Sequence, residues 1–201
     1  MRSILLAVYL VQTSVAFLID DNGCAQLQMV SRDQWNARAP VAPANLTSTT
    51  LGMVFVHHTD MSHCNTMDQC AQEVKTIQNF HMDERGWGDV GYSFLIGEDG
   101  SVFEGRGWAR VGAHTHSYNT VAFGVALLGN FMYRRPKPAA LTALQNLLKC
   151  GVHMGHISAT FRLFGHRDTR QGTLCPGDIL YSIIRQWPHF DSMGPQTNLL
   201  I

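Results

Sequence analysis

The chain has 201 residues, 45% of them hydrophobic, and its 15 Lys and Arg balance 15 Asp and Glu to a formal net charge of zero. With no acidic or basic tail, that balance gives no support to a nucleic-acid partner or to a charge-driven membrane-lytic role. The length suits one domain able to bury its own core.

The first residues, MRSILLAVYLVQTSVAF, read as a secretory signal. Arg2 gives a basic start, Ile4 to Val11 an apolar run, and Ser14-Val15-Ala16 a small-residue cleavage site. The run is short for a bilayer span, and Asp20-Asp21 are poor stop-transfer flanks. The expected division is a signal peptide over 1–16, an N-terminal segment over 17–29, one domain over 30–190 and a tail over 191–201. No later segment is apolar enough to span, so the mature chain is expected to be extracellular, without a transmembrane segment. Asn45-Leu46-Thr47 is a glycosylation sequon, usable where exposed.

LGMVFVHHT (51–59) predicts a buried strand ending at a histidine pair. Thr66 and Gln69 have capping-box spacing, so a helix starts there with Cys70, Val74, Ile77 and His81 on one face and ends at Arg85-Gly86. GYSFLIGEDGSVFEGR (91–106) predicts a hairpin turning at Asp99-Gly100. VAFGVALLGNF (121–131) is a second buried strand. Arg134, Arg135 and Lys137, broken by Pro136 and Pro138, read as a solvated loop. Pro138 opens a helix with Leu141, Leu144, Leu147 and Leu148 inward and Gly155 as its stop. FRLFGHRD (161–168) predicts a further strand, and a last helix runs from Asp178 to a halt at Pro188. The interleaving predicts an α/β sheet with helices packed on its faces.

Five cysteines leave one thiol over in a secreted chain: Cys24, Cys64, Cys70, Cys150 and Cys175. Cys64 and Cys70 are close enough to close a small loop, and Cys24 and Cys150 could then tie the N-terminal segment to a later element. Connectivity is not readable from sequence alone, and other pairings stay open. His57 closes one predicted strand, His166 another, and Cys175 follows in the next loop. Strand ends are where α/β sheets keep their sites. Two imidazoles and a thiolate, with a fourth position open, form a catalytic rather than a structural zinc pattern. Such a site yields a hydroxide nucleophile at neutral pH and accounts for the odd thiol. Neighbouring strand side chains face opposite ways, so only one of His57 and His58 can serve it. Taken singly, a histidine is more often a hydrogen-bonded polar residue and a lone cysteine an apolar filler. His153-Met154-Gly155-His156 has metal-like spacing, but a helix C-terminus favours such residues anyway. A cysteine hydrolase, with Cys175 as nucleophile and His166 as base, is a third-ranked reading.

FVHHT, the Cys-x5-Cys loop, IQNFHMDERGWGDVGYSFLIGEDGSVFEGRGW, GAHT, and GHRD followed by CPG together resemble the peptidoglycan recognition proteins, relatives of phage and bacterial zinc amidases. SRDQWNARAP resembles that family's entry segment, and the likeness runs from about Val30 to Phe190. It implies a mixed central β-sheet flanked by helices, with a peptide-binding groove across one face. It also implies Zn2+ held by His57, His166 and Cys175, with Tyr92 beside the metal and Thr173 a small polar residue at the site. The implied reaction is hydrolysis of the bond between N-acetylmuramic acid and L-alanine of bacterial peptidoglycan, in an innate-immune role. Members that only bind generally lack this cysteine; a non-catalytic sensor or bacteriostatic effector is the alternative. His58, His81, His114 and Asn119 match residues contacting peptide or sugar, and Trp108 reads as packing beneath the groove. Gly86-Trp87 with Arg106 match the pattern that accompanies preference for meso-diaminopimelic acid peptides, whose extra carboxylate a guanidinium can hold. Between His166 and Cys175 the chain carries one residue more than the family loop. Gly172 can absorb it as a turn; otherwise Cys175 would sit off the metal.

Overall fold

The computed structural model describes residues 22–169 and 172–195, so the signal-peptide reading of 1–16 lies outside the described residues. Six strands and three helices alternate: β1 (Gln28–Val30), β2 (Leu51–His58), α1 (Met67–Asn79), β3 (Phe94–Ile96), β4 (Ser101–Glu104), β5 (Ala122–Leu127), α2 (Pro138–His153), β6 (Ile157–Gly165) and α3 (Asp178–Ile184). The strands form one mixed sheet in the order β1-β4-β3-β5-β2-β6. Only the β3–β4 hairpin is antiparallel; every other neighbouring pair runs parallel. β2 and β5 are near-continuous apolar runs, as strands covered on both faces must be.

Strand alternation sorts the core into two layers. Val54 and Val56 of β2, Phe123, Val125 and Leu127 of β5 and Leu163 of β6 pack against Leu144, Leu147 and Leu148 of α2 and Leu180 and Ile184 of α3. On the other face Leu95 and Phe103 meet Cys70, Val74 and Ile77 of α1. Met53 and Phe55 join Tyr118 and Phe164 there. His57 follows Met53 and Phe55 in alternation and falls on this second face. β5 presents Ala122, Gly124 and Ala126 to the same side, and His57 pairs in register with Ala126. Small side chains here keep the sheet surface low, and the His114 ring takes the space above Gly124.

α1 begins as expected, with the Thr66 hydroxyl accepting the Gln69 N–H. The return bond is offset by one residue, since Gln69 Oε1 accepts from Asn65 rather than from the cap itself. The helix then widens into a π turn over Phe80–Glu84, closed by the Arg85 N–H on the Phe80 carbonyl. That extra residue breaks the periodicity of Cys70, Val74 and Ile77, so His81 borders the groove instead of joining α1's core face. β6 stops at Gly165 and His166 starts a 3-10 turn, His166–Thr169, where sequence had extended the strand to 168. Asp168 causes the stop by accepting the Gly165 N–H. α3 ends at Ile184, short of Pro188. The Arg134 loop is not simply solvated: Arg134 pairs at 2.8 Å with the buried carboxylate of Glu98, which also accepts the Lys137 N–H.

Cys24 is bridged to Cys150 and Cys64 to Cys70, leaving Cys175 free and buried. The first bridge ties the N-terminal turn to α2; the second closes a seven-residue ring at the start of α1. No helix among the described residues is long and apolar enough to cross a membrane.

Candidate active site

At the C-terminal edge of β2 and β6 the sheet delivers three donors to one point. His57 is the penultimate residue of β2, His166 follows the last residue of β6, and Cys175 arrives on the loop before α3. One donor atom from each lies within 4.8 Å of the others. Zinc bonds of about 2.0 to 2.3 Å at tetrahedral angles would set an imidazole nitrogen and a thiolate about 3.6 Å apart. His57 Nδ1 and Cys175 Sγ are 3.6 Å apart. His153 and His156 do not join any such cluster; His156 stacks on Trp108 instead.

The loop that carries Cys175 is fastened by the residue next to His166. The Arg167 N–H donates to the Cys175 carbonyl at 2.8 Å, and its guanidinium reaches the Leu174 carbonyl and Asp178. Thr173 Oγ1 accepts the Cys175 N–H. Gly172 has φ +73° with open space around it, a left-handed backbone that glycine adopts without strain. Thr173 and Cys175 both line the groove.

The electrostatics suit a cation. Burial lowers the pKa of His57, and the neighbouring His166, His114 and His58 lower it further. Burial lowers His166 as well, with His58 adding to it. Both rings are therefore neutral, with lone pairs free, at neutral pH. Burial pushes the Cys175 thiol up to about 12, against the pull of the His58 N–H and Arg167. The same His58 N–H donates to Sγ at 3.3 Å, a contact that favours the thiolate once a metal charge is present. The donor set thus fits zinc in its chemistry, and the His57–Cys175 pair fits it in its spacing. An activated nucleophile would need its pKa depressed, so the cysteine-hydrolase reading finds no support.

Around this point lies a groove of about 350 Å³ lined by His57, His58, His81, Trp87, Tyr92, His114, His166, Thr173 and Cys175, with Thr59, Asp60, Phe80, Arg85 and Ala113. Tyr92 sits 5.3 Å from His57, ring centre to ring centre. Burial first, and Cys175 second, raise its pKa, so it stays a phenol. His81 packs 4.6 Å from Trp87, and its Nδ1 accepts the Gly91 N–H. Burial first, then Arg106 and Arg85, lower His81 to about 4. Gly86, φ +67° and exposed, turns the chain so that Trp87, 37% exposed, stands at the rim.

Other expected residues lie differently. His58 borders the groove, yet its Nδ1 accepts the Phe131 N–H, so that nitrogen is already used. Asn119 turns inward: its Oδ1 accepts both the His114 and Thr115 N–H groups. It shapes a turn and does not line the groove. Arg106 lines a separate cavity of about 130 Å³ with Gly88, Asp89 and Arg110. Its guanidinium donates to the Val90, Val111 and Asp89 carbonyls, three of its five N–H groups. Trp108 packs on the far face of the sheet against Phe94 and Phe123. Asn45 is exposed, as a sequon requires. Thr115 was missed altogether. It is wholly buried and hydrogen-bonded to His57, and the only sequence signal was its place beside His114.

Residues 47–178 match the family model described as N-acetylmuramoyl-L-alanine amidase. Among curated proteins, Peptidoglycan recognition protein 1 of Bos taurus is 47% identical over 163 residues, covering 81% of this chain and 85% of its own. The N-acetylmuramoyl-L-alanine amidase of Homo sapiens is 41% identical over 84% of this chain, which corresponds to 29% of that longer protein. Among solved structures, wild-type Drosophila PGRP-LB superposes with a TM-score of 0.81 at 36% identity, covering 85% of this chain and 99% of that one. Peptidoglycan recognition protein LE in complex with tracheal cytotoxin gives 0.80 at 38% identity, covering 83% and 97%.

Proposed function

The chain belongs to the peptidoglycan recognition protein family, with the family's amidase domain, and from that premise we propose that it is a zinc-dependent N-acetylmuramoyl-L-alanine amidase. The bond cut joins the lactyl group of N-acetylmuramic acid to L-alanine of the stem peptide. The observation that supports this most is the His57–His166–Cys175 cluster, whose donors converge beside an open groove. When bound there, zinc supplies Lewis acidity and a nucleophile at neutral pH. Tyr92 donates a hydrogen bond to the carbonyl oxygen as charge develops on it; a phenol whose pKa is raised is a donor here and not a base. Thr173 holds the Cys175 loop through its backbone bond.

In this reading His81 and Trp87 form one wall for the peptide or sugar. Because Nδ1 of His81 accepts from Gly91, its proton rests on Nε2 and can be donated to substrate. His114 lines the groove, Asn119 acts from behind it, and His58 contributes its backbone N–H to the thiolate. Preference for diaminopimelic acid peptides is assigned to the Gly86-Trp87 rim together with the two N–H groups that Arg106 retains. The protein is read as secreted, glycosylated at Asn45, and an innate-immune effector against bacterial cell wall.

The deciding experiment is digestion of a purified muropeptide, read by mass spectrometry, with zinc, with chelator, and with zinc added back. Free stem peptide is expected in the first and third conditions and absent in the second. Intact muropeptide throughout would leave only the binding role. Cys175→Ala should retain muropeptide but release nothing.

A further inference from the structure

We propose that Thr115 is a positioning residue for the metal centre, its hydroxyl taking the Nε2 proton of His57 and so presetting that ring to offer Nδ1 to zinc. The inference rests on the zinc-amidase reading. A ligand histidine binds metal through one nitrogen and must carry its proton on the other, and a fixed acceptor at that second nitrogen selects the tautomer. His57 Nδ1 faces Cys175 Sγ at 3.6 Å. Its Nε2 faces Thr115 Oγ1 at 3.3 Å, on the far side of the ring from the sulfur. Both groups are buried, Thr115 wholly so, and water does not compete for the contact.

A hydroxyl has one proton to donate and lone pairs to accept with. In the proposed arrangement the Thr115 proton goes to His114 Nδ1, which lies 2.9 Å from Oγ1. That leaves the lone pairs of the hydroxyl to His57, so the proposed chain runs from His57 Nε2–H to Thr115 and from Thr115 O–H to His114. His114 holds the far end, its ring seated in space that two glycines leave open. A Cβ on Gly124 would lie 2.2 Å from its Cγ, and one on Gly112 would lie 2.4 Å from its Cδ2. The backbone of the pair is fixed as well, by the Asn119 side-chain oxygen on both N–H groups. His114 and Asn119, which sequence assigned to substrate, thus form one brace for a ligand ring.

The first test needs no variant. Nitrogen-15 NMR of the metal-free wild-type protein should show His57 carrying its proton on Nε2; a proton on Nδ1 would overturn the proposal. Thr115→Val keeps the shape and removes the hydroxyl, and should mix the tautomers and weaken zinc binding about 10- to 100-fold in a chelator competition. Thr115→Ser should restore both. Wild-type affinity in a folded Thr115→Val protein would reject the role. Should Thr115→Val not fold, the wild-type spectrum and Thr115→Ser decide. The amidase reading fails separately: zinc bound as described with muropeptide left intact would sink that reading and leave the role of Thr115 standing.

Discussion

A phenol in this site and a guanidinium in the cavity beside it are each governed by what lies behind them. Tyr92 is held protonated by its surroundings, so in the proposed reaction its contribution is a single hydrogen bond. Tyr92→Phe should lower kcat about 10²- to 10³-fold, with muropeptide affinity nearly unchanged, because the bond forms mainly as charge develops. Steady-state kinetics beside equilibrium binding would check that split. Arg106 has a second occupation that its sequence context did not reveal. Removing it strands the Val90, Val111 and Asp89 carbonyls. Arg106→Val should therefore cost about 1 to 3 kcal/mol of stability in urea unfolding, beside weakening diaminopimelate peptides more than lysine peptides. The His57, His166 and Cys175 cluster was legible because two of its members stand at the ends of predicted strands and the odd cysteine count singles out the third. The partners of Arg106, Asn119 and Thr115 were not, because hydrogen bonds between residues distant in sequence leave no mark in a local pattern.

Among the elements, β5 does most to shape the site by what it omits. Its groove face is Ala122, Gly124 and Ala126, and His114 lies directly on Gly124. Gly124→Ala should force His114 aside, costing about 1 to 3 kcal/mol as overpacking does and reducing zinc affinity, both measurable on the purified variant. The Cys24–Cys150 bridge stands at the other extreme, fastened to α2 on the opposite side of the sheet. Replacing both cysteines with serine should cost up to about 5 kcal/mol by chain entropy, while muropeptide release at room temperature persists. Long, patterned elements were readable: the capped α1, the Pro138 helix, the hairpin and the buried strands. β1, the π turn and the 3-10 turn at His166 were not. Each is three to five residues long and is set by pairing or capping contacts made only in the folded chain.

For the molecule as a whole, titration should show how its buried groups weigh on stability. His57, His81, His114 and His166 all have lowered pKa values, His81 to about 4 and His114 to about 3. Below the ordinary histidine value near 6.5 the unfolded chain binds protons that the folded one refuses, so stability rises with pH through that window. Metal-free protein should be most stable above pH 6.5 and lose, at pH 4, at most on the order of 3 kcal/mol per buried ring. Urea unfolding at pH 7, 5.5 and 4.5 would show the slope. Cys175 acts at the other end: its raised pKa means stability falls once pH passes the ordinary thiol range near 9. Its seclusion has one more use. With four of its five cysteines locked in bridges, the last is a tracer supplied by the chain itself, 8% exposed on the groove floor. The rate at which a maleimide dye labels it counts how often the floor lifts, and zinc should slow that clock.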